Sequence, residues 1–227
     1  RSRTSSFIIT ITSQFELDLR LIDLSVYFAR NVVVLDFDQI RDTLRHVLKK
    51  DYFTIDKRLP NACKVAGVLV IIHPLNNIPH IVLTKRSLKL KDHAGQISFP
   101  GGNLETEDLT PLDTALRETR EEIGLEIHRD KIIGGLDSVQ TSTSKYVIYA
   151  YVAMIESGLY LKPNDEVERI LNIPIPNILD ILLQYSLTTY EGTYRRGIEI
   201  PWEDEVIWGA TATILKQLFH YFPNNSG

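Results

Sequence analysis

The run Arg117-Glu-Thr-Arg-Glu-Glu-Ile-Gly-Leu125 constrains this chain more than any other feature. At about 100° per residue, a helix through it gathers Glu118, Glu121 and Glu122 into an arc of roughly 100°. Leu112, Ala115, Leu116, Thr119 and Ile123 then form a separate apolar stripe. One side of the helix is made for packing and the other carries three carboxylates. Neighbouring carboxylates repel one another unless cations, bases or solvent compensate them, and hard oxygen ligands suit magnesium or manganese better than zinc. Read alone, the run is more readily a solvated charged helix face than a metal site, with Arg117 pairing to Glu121 one turn on.

The residues upstream favour chemistry over solvation. Gly95-Gln-Ile-Ser-Phe-Pro-Gly-Gly102 is a loop whose paired glycines let the backbone turn sharply and bring its polar groups close to a ligand. It feeds into a helix expected over residues 111–123, with Thr110 as N-cap, Pro111 in the first turn beside Asp113, and Gly124 as terminator.

Gly102, the glutamate cluster and the closing Gly124-Leu125 together resemble the Nudix box. This is the metal-binding loop-helix-loop of hydrolases acting on nucleoside diphosphates linked to another group. Asp108 stands where the ordinary box has glutamate, and Arg117 lies one residue further from Gly102 than usual. The longer interval resembles the coenzyme A pyrophosphatase branch. So does the upstream signature of Leu83-Thr-Lys-Arg-Ser87, Lys91, Gly95 and Phe99-Pro-Gly-Gly102. Val82 replaces a leucine of that pattern and Lys91 an arginine, exchanging a planar bidentate fork for a compact flexible charge. Asn164-Asp-Glu-Val167 and Ile207-Trp-Gly-Ala-Thr-Ala212 resemble later segments of the branch, so the likeness runs over about residues 65–222.

The resemblance implies a Nudix α/β/α sandwich with a mixed β-sheet. It also implies hydrolysis of the diphosphate of coenzyme A or acyl-coenzyme A to adenosine 3′,5′-bisphosphate and (acyl-)4′-phosphopantetheine, with Mg2+ or Mn2+ as cofactor. By the motif, Glu118, Glu121, Glu122 and the Gly101 carbonyl are the metal ligands. Glu121, Glu122 and Glu166 are the catalytic candidates, Glu166 because such enzymes often draw a glutamate from outside the box. Arg117 orients Glu121. Arg86, Lys91 and Gln96 are the substrate contacts. Read without the resemblance, Asp165 and Glu166 are surface-loop acids, Arg86 and Lys91 exposed ion-pair partners, and His93 either a substrate donor or a satisfied loop residue. Ser98 has no His-Asp arrangement beside it. The alternatives are a hydrolase of another nucleoside diphosphate derivative, such as ADP-ribose or a dinucleotide, or of a nucleoside triphosphate, and a noncatalytic sensor of a phosphorylated metabolite.

The 227 residues, 44% hydrophobic and 24% charged, supply enough apolar material for a folded core. A formal charge of -4 gives no reason to expect nucleic acid as a partner, although Lys85, Arg86, Lys89 and Lys91 form a local basic group suited to phosphates. Cys63 is the only cysteine, which rules out an intrachain disulfide and suits a reducing compartment. No apolar run reaches membrane-spanning length, so membrane insertion is not expected and a cytoplasmic location is. An organelle stays open because the first residue is Arg1. The family resemblance also allows a homodimer. We expect an N-terminal extension over residues 1–60, packed on a hydrolase domain over residues 61–227. Strands are expected over residues 7–11, 32–35, 65–72, 81–84, 132–139 and 147–155, and helices over residues 38–48 and 210–222.

Overall fold

The computed structural model describes residues 36–50, 63–141, 145–156, 158–189 and 198–222. The strands expected over residues 7–11 and 32–35, and most of the expected extension, lie outside them.

The near-continuous apolar run that marks β1 (Lys64–Leu75) leads through a turn at Asn76 and Asn77 into β2 (Ile78–Arg86). Both asparagines have positive φ, 51° and 63°, which closes a two-residue hairpin whose twist matches that of the flanking strands. β1 is the hub of the sheet. It pairs antiparallel with β2 and with the short β4 (Gly101–Asn103), and parallel with β7 (Tyr146–Met154). β3 (Ile97–Ser98) and β8 (Val167–Pro174) add to β2, while β5 (Ile132–Gly135) and β6 (Val139–Gln140) add to β7. The sheet of described strands is therefore mixed, as expected.

β1 is buried on both faces because helices cover both. On one face Leu69 and Ile71 meet Leu112, Ala115 and Ile123 of α2 (Pro111–Ile123). On the other, Val70 and Ile72 share a larger core with Ile40 and Leu44 of α1 (Phe37–Val47) and Ile178 of α3 (Ile175–Thr189). Leu215 and Phe219 of α4 (Gly209–His220) complete that layer. A β9–β10 hairpin (Ile200–Trp202, Glu205–Ile207) precedes α4. Helices on both faces of one sheet make the α/β/α sandwich.

The stretch 132–139, expected as one strand, is two. Pairing with β7 shifts register between Ile132 and Gly134, and the chain resumes the ladder only at Val139. The cause is a third segment at this edge: Lys49 and Gly135 exchange backbone hydrogen bonds, so β5 has a partner on each side. α1 is thereby joined to the sheet, with Lys50 Nζ donating to the Ile133 carbonyl at 2.7 Å.

Candidate functional site

Helix α2 begins where the sequence places it. Thr110 accepts from the Asp113 amide and Asp113 Oδ2 accepts from the Thr110 amide, a reciprocal cap that satisfies two otherwise orphaned donors. Gly124 ends the helix in the left-handed region at φ 69°. Its position against the sheet is set by Gly67, since a Cβ there would lie 1.8 Å from the Pro111 carbonyl oxygen. The first turn of α2 therefore rests on bare backbone of β1.

This seating presents the acidic residues unequally. Glu122 is buried, 3% exposed, beneath the glycine loop, and its Oε2 accepts from the Gly101 amide at 3.2 Å. Burial pushes its carboxyl up to about 7, with the Glu118 and Glu166 charges adding to the rise and the Gly101 amide and Arg86 opposing it. Glu118 lies against the α-carbon of Gly102, where a Cβ would come within 2.3 Å of its Oε1. Burial raises the Glu118 carboxyl too, against the pull of Arg117 and with help from the Glu121 and Glu105 charges. Glu121 turns outward, its side chain 48% exposed and bound to Arg117. Among the described residues, no three His, Cys, Asp or Glu side chains converge on one point as they stand.

The antiparallel pairing of β2 with β8 supplies the opposite wall. It brings Arg86 level with Val167, so that Arg86 Nη1 lies 3.5 Å from Glu122 Oε1 and Nη2 4.0 Å from Glu166 Oε2. The Glu166 carbonyl accepts from the Ser87 amide at 2.7 Å, and the Asn164 amide donates to the Glu122 carbonyl at 2.9 Å. The loop carrying Glu166 is thus stapled both to β2 and to the end of α2. Gln96 sits close by through its backbone, accepting from the Arg86 amide at 2.9 Å, while its Oε1 lies 3.0 Å from His93 Nδ1. His93 is satisfied inside its own loop. Lys91 is exposed on that loop, with no ion pair among the described residues.

Asp108 plays a part that sequence reasoning missed. It binds Arg117 through two hydrogen bonds, Nε to Oδ1 at 3.2 Å and Nη2 to Oδ2 at 3.0 Å. Arg117 in turn donates to Glu118 Oε1 at 3.0 Å, Glu121 Oε2 at 3.1 Å and the Asn103 carbonyl at 3.3 Å. Burial alone would raise the Asp108 carboxyl. Hydrogen bonds from Arg117, the Glu105 amide and Thr114 outweigh it and hold the group below the usual carboxylate range. Arg117 therefore reaches beyond Glu121 and anchors two acidic side chains to the loop. The available signal was Asp108 standing at the glutamate position of the motif.

The residues present fit a hard divalent cation. The donors are carboxylate oxygens, and the raised Glu118 and Glu122 carboxyls mark buried negative charge that a cation would relieve.

Comparison with known proteins identifies the wider group. The NUDIX domain matches residues 64–176. The protein named "Uncharacterized Nudix hydrolase NudL" from Photorhabdus laumondii is 33% identical over 166 residues, covering 71% of this chain and 87% of the relative. The chain belongs to the Nudix hydrolase family. A second protein of that name, from Pectobacterium atrosepticum, is 33% identical over 157 residues, covering 67% of this chain and 80% of its own. A MutT/nudix family protein crystal structure from Enterococcus faecalis shares the fold. Its TM-score is 0.51 at 17% identity, and the match covers 73% of this chain and 64% of that one. α2 is accordingly the Nudix helix, and residues 101–125 form the loop-helix-loop around it. No helix among the described residues is long and apolar enough to cross a membrane.

Proposed function

We propose that this Nudix hydrolase cleaves the diphosphate of coenzyme A or acyl-coenzyme A, giving adenosine 3′,5′-bisphosphate and the corresponding 4′-phosphopantetheine. The observation that carries the reading is the fit between the upstream signature and the acidic helix. The signature's Arg86 sits 3.5 Å from Glu122, and its glycine loop donates the Gly101 amide to the same carboxylate. A motif shared with a substrate-defined branch thus touches the residues that would do the chemistry.

Glu118 and Glu122, with Glu121 or the Gly101 carbonyl, would hold magnesium or manganese. When bound, the ion supplies neutralisation of diphosphate charge and acidification of water. Arg86 is placed to bind a phosphate oxygen through its guanidinium. Water adds to phosphorus, the bridging oxygen leaves with the other phosphate, and a glutamate carboxylate accepts the water's proton. Glu166, 55% exposed at its side chain and across from Glu122, is the candidate for that acceptance, with Glu121 the alternative. Arg117 positions Glu118 and Glu121.

The test is to incubate the protein with coenzyme A and magnesium or manganese and to identify products by mass spectrometry, with chelator and Glu122→Gln controls. Both fragments should form, and the variant should lose more than about a hundredfold in rate while retaining its fold. Turnover of ADP-ribose or a dinucleotide with coenzyme A left intact would replace the substrate assignment. Binding without turnover of any diphosphate would make the protein a sensor.

A further inference from the structure

Above the acidic helix, on the same face of the sheet, lies an open groove of about 420 Å³, lined by Leu159, Tyr160, Leu161, Pro163, Ile170 and Asn172. That volume is in the range of small-molecule sites. Resting on the reading of α2 as the centre that binds a nucleoside diphosphate, we propose that this groove receives the nucleobase of the substrate, with Tyr160 as its stacking surface and Asn172 as its polar reader.

Three observations support the assignment. First, the groove borders the segment that holds the end of the acidic helix. Pro163 in its wall precedes Asn164, whose amide donates to the Glu122 carbonyl, and the Lys162 amide donates to the Ile123 carbonyl. One short segment is therefore both groove wall and support for the helix end. Second, the spacing suits a single nucleoside. Ile170 is level with Thr84 and Asn172 with Val82, two and four residues along β2 from Arg86. At about 3.3 Å per residue the groove floor lies roughly 7 to roughly 13 Å along the strand from the Arg86 backbone.

Third, the chemistry is that of a flat heteroaromatic ring. Tyr160 is 85% exposed, a large aromatic surface held at the rim with nothing packed over it among the described residues. Leu159, Leu161, Pro163 and Ile170 offer apolar contact beneath. Asn172 Oδ1 lies 2.8 Å from Nε2 of the buried His73, which fixes the amide's orientation through a proton on that nitrogen. Its Nδ2 hydrogens bond no other described group and remain available to a ring nitrogen or a carbonyl of a base. An exposed aromatic surface together with an amide donor is suited to a base and poorly suited to a flexible aliphatic chain.

The experiment compares binding of AMP, ribose 5-phosphate and pantetheine to the full chain and to Tyr160→Ala and Tyr160→Phe by isothermal titration calorimetry in magnesium. Coenzyme A turnover is assayed in parallel. AMP should bind at least about tenfold more tightly than ribose 5-phosphate; Tyr160→Ala should erase that margin and Tyr160→Phe keep it. Because the side chain is exposed, loss of fold does not accompany its removal, and circular dichroism confirms this. Equal binding of AMP and ribose 5-phosphate, or a margin that survives Tyr160→Ala, overturns the assignment. Loss of pantetheine rather than AMP binding in that variant also overturns it. If coenzyme A is not hydrolysed but the AMP margin behaves as expected, the substrate reading falls and the groove assignment stands.

Discussion

Asp108 and Arg117, nine residues apart across a loop and a helix start, face each other through two parallel hydrogen bonds of 3.2 and 3.0 Å. The side chain of Asp108 is only 4% exposed and that of Arg117 18%, so removing the acid leaves a poorly solvated guanidinium. Asp108→Ala should cost about 2 kcal/mol, less than for a fully buried pair because Arg117 keeps Glu118 and Glu121. It should also lower kcat/KM about ten- to a hundredfold by loosening those carboxylates. Denaturant midpoints and steady-state kinetics measure both, and an unchanged kcat/KM would deny Arg117 its positioning role.

The pH dependence of the metal-free protein follows from Glu122. Its carboxyl ionises near 4.5 in the unfolded chain and about 7 in the fold. Between those values the folded state holds a proton that the unfolded state has released. Stability therefore falls as pH rises through this window, by up to about 3 kcal/mol. Glu122→Gln should flatten that slope and stabilise the chelated protein at pH 8. Magnesium should stabilise the wild type more at pH 8 than at pH 6. Thermal melts across pH in chelator check the first point, and melts with added magnesium the second.

Two glycines separate stability from activity. At Gly67 a methyl group would collide with the backbone of Pro111, which cannot move without shifting the Nudix helix. Gly67→Ala should cost about 3 kcal/mol. At Gly102 the collision is with the Glu118 carboxylate, the far end of a flexible side chain. Gly102→Ala should change stability little and lower kcat/KM about ten- to a hundredfold. A reversed pattern in the two variants would contradict the seating described for α2.

His73 sets an acid limit of its own. Burial lowers its pKa, with the neighbouring His80 adding to the drop and Asn172 opposing it. Below its unfolded value near 6.5 the unfolded state takes up a proton that the fold refuses, so stability is lost as pH falls from there towards the folded pKa. His73→Gln should weaken the decline in melting temperature between pH 6.5 and pH 5.

The Nudix helix was legible because its determinants are local: Thr110, Pro111, Asp113 and Gly124 each act within a turn of the helix ends. β8 and α3 were not. Pro174 and Pro176 suggest interruption, yet Pro176 sits in the first turn of α3, where its missing N–H costs nothing. Glu118 and Glu122 could be grouped by helical spacing, but their unequal burial depends on how closely Gly101 and Gly102 approach. Similarly, the nearness of Glu166 to Arg86 is set by strand register, which a separation of 80 positions in the chain does not encode locally. The groove at Tyr160 joins a loop to β8 and has no linear signature.

The bridge between Lys49 and Gly135 has a consequence for handling the protein. A sheet border with idle amides and carbonyls is a template for another chain, and here the residues after α1 cover part of it. Removing the residues before β1 would uncover that border together with the apolar seat of Ile40, Leu44 and Leu48. A shortened form is expected to be sticky, with residues 37–50 expected to act as a guard against aggregation in the intact chain.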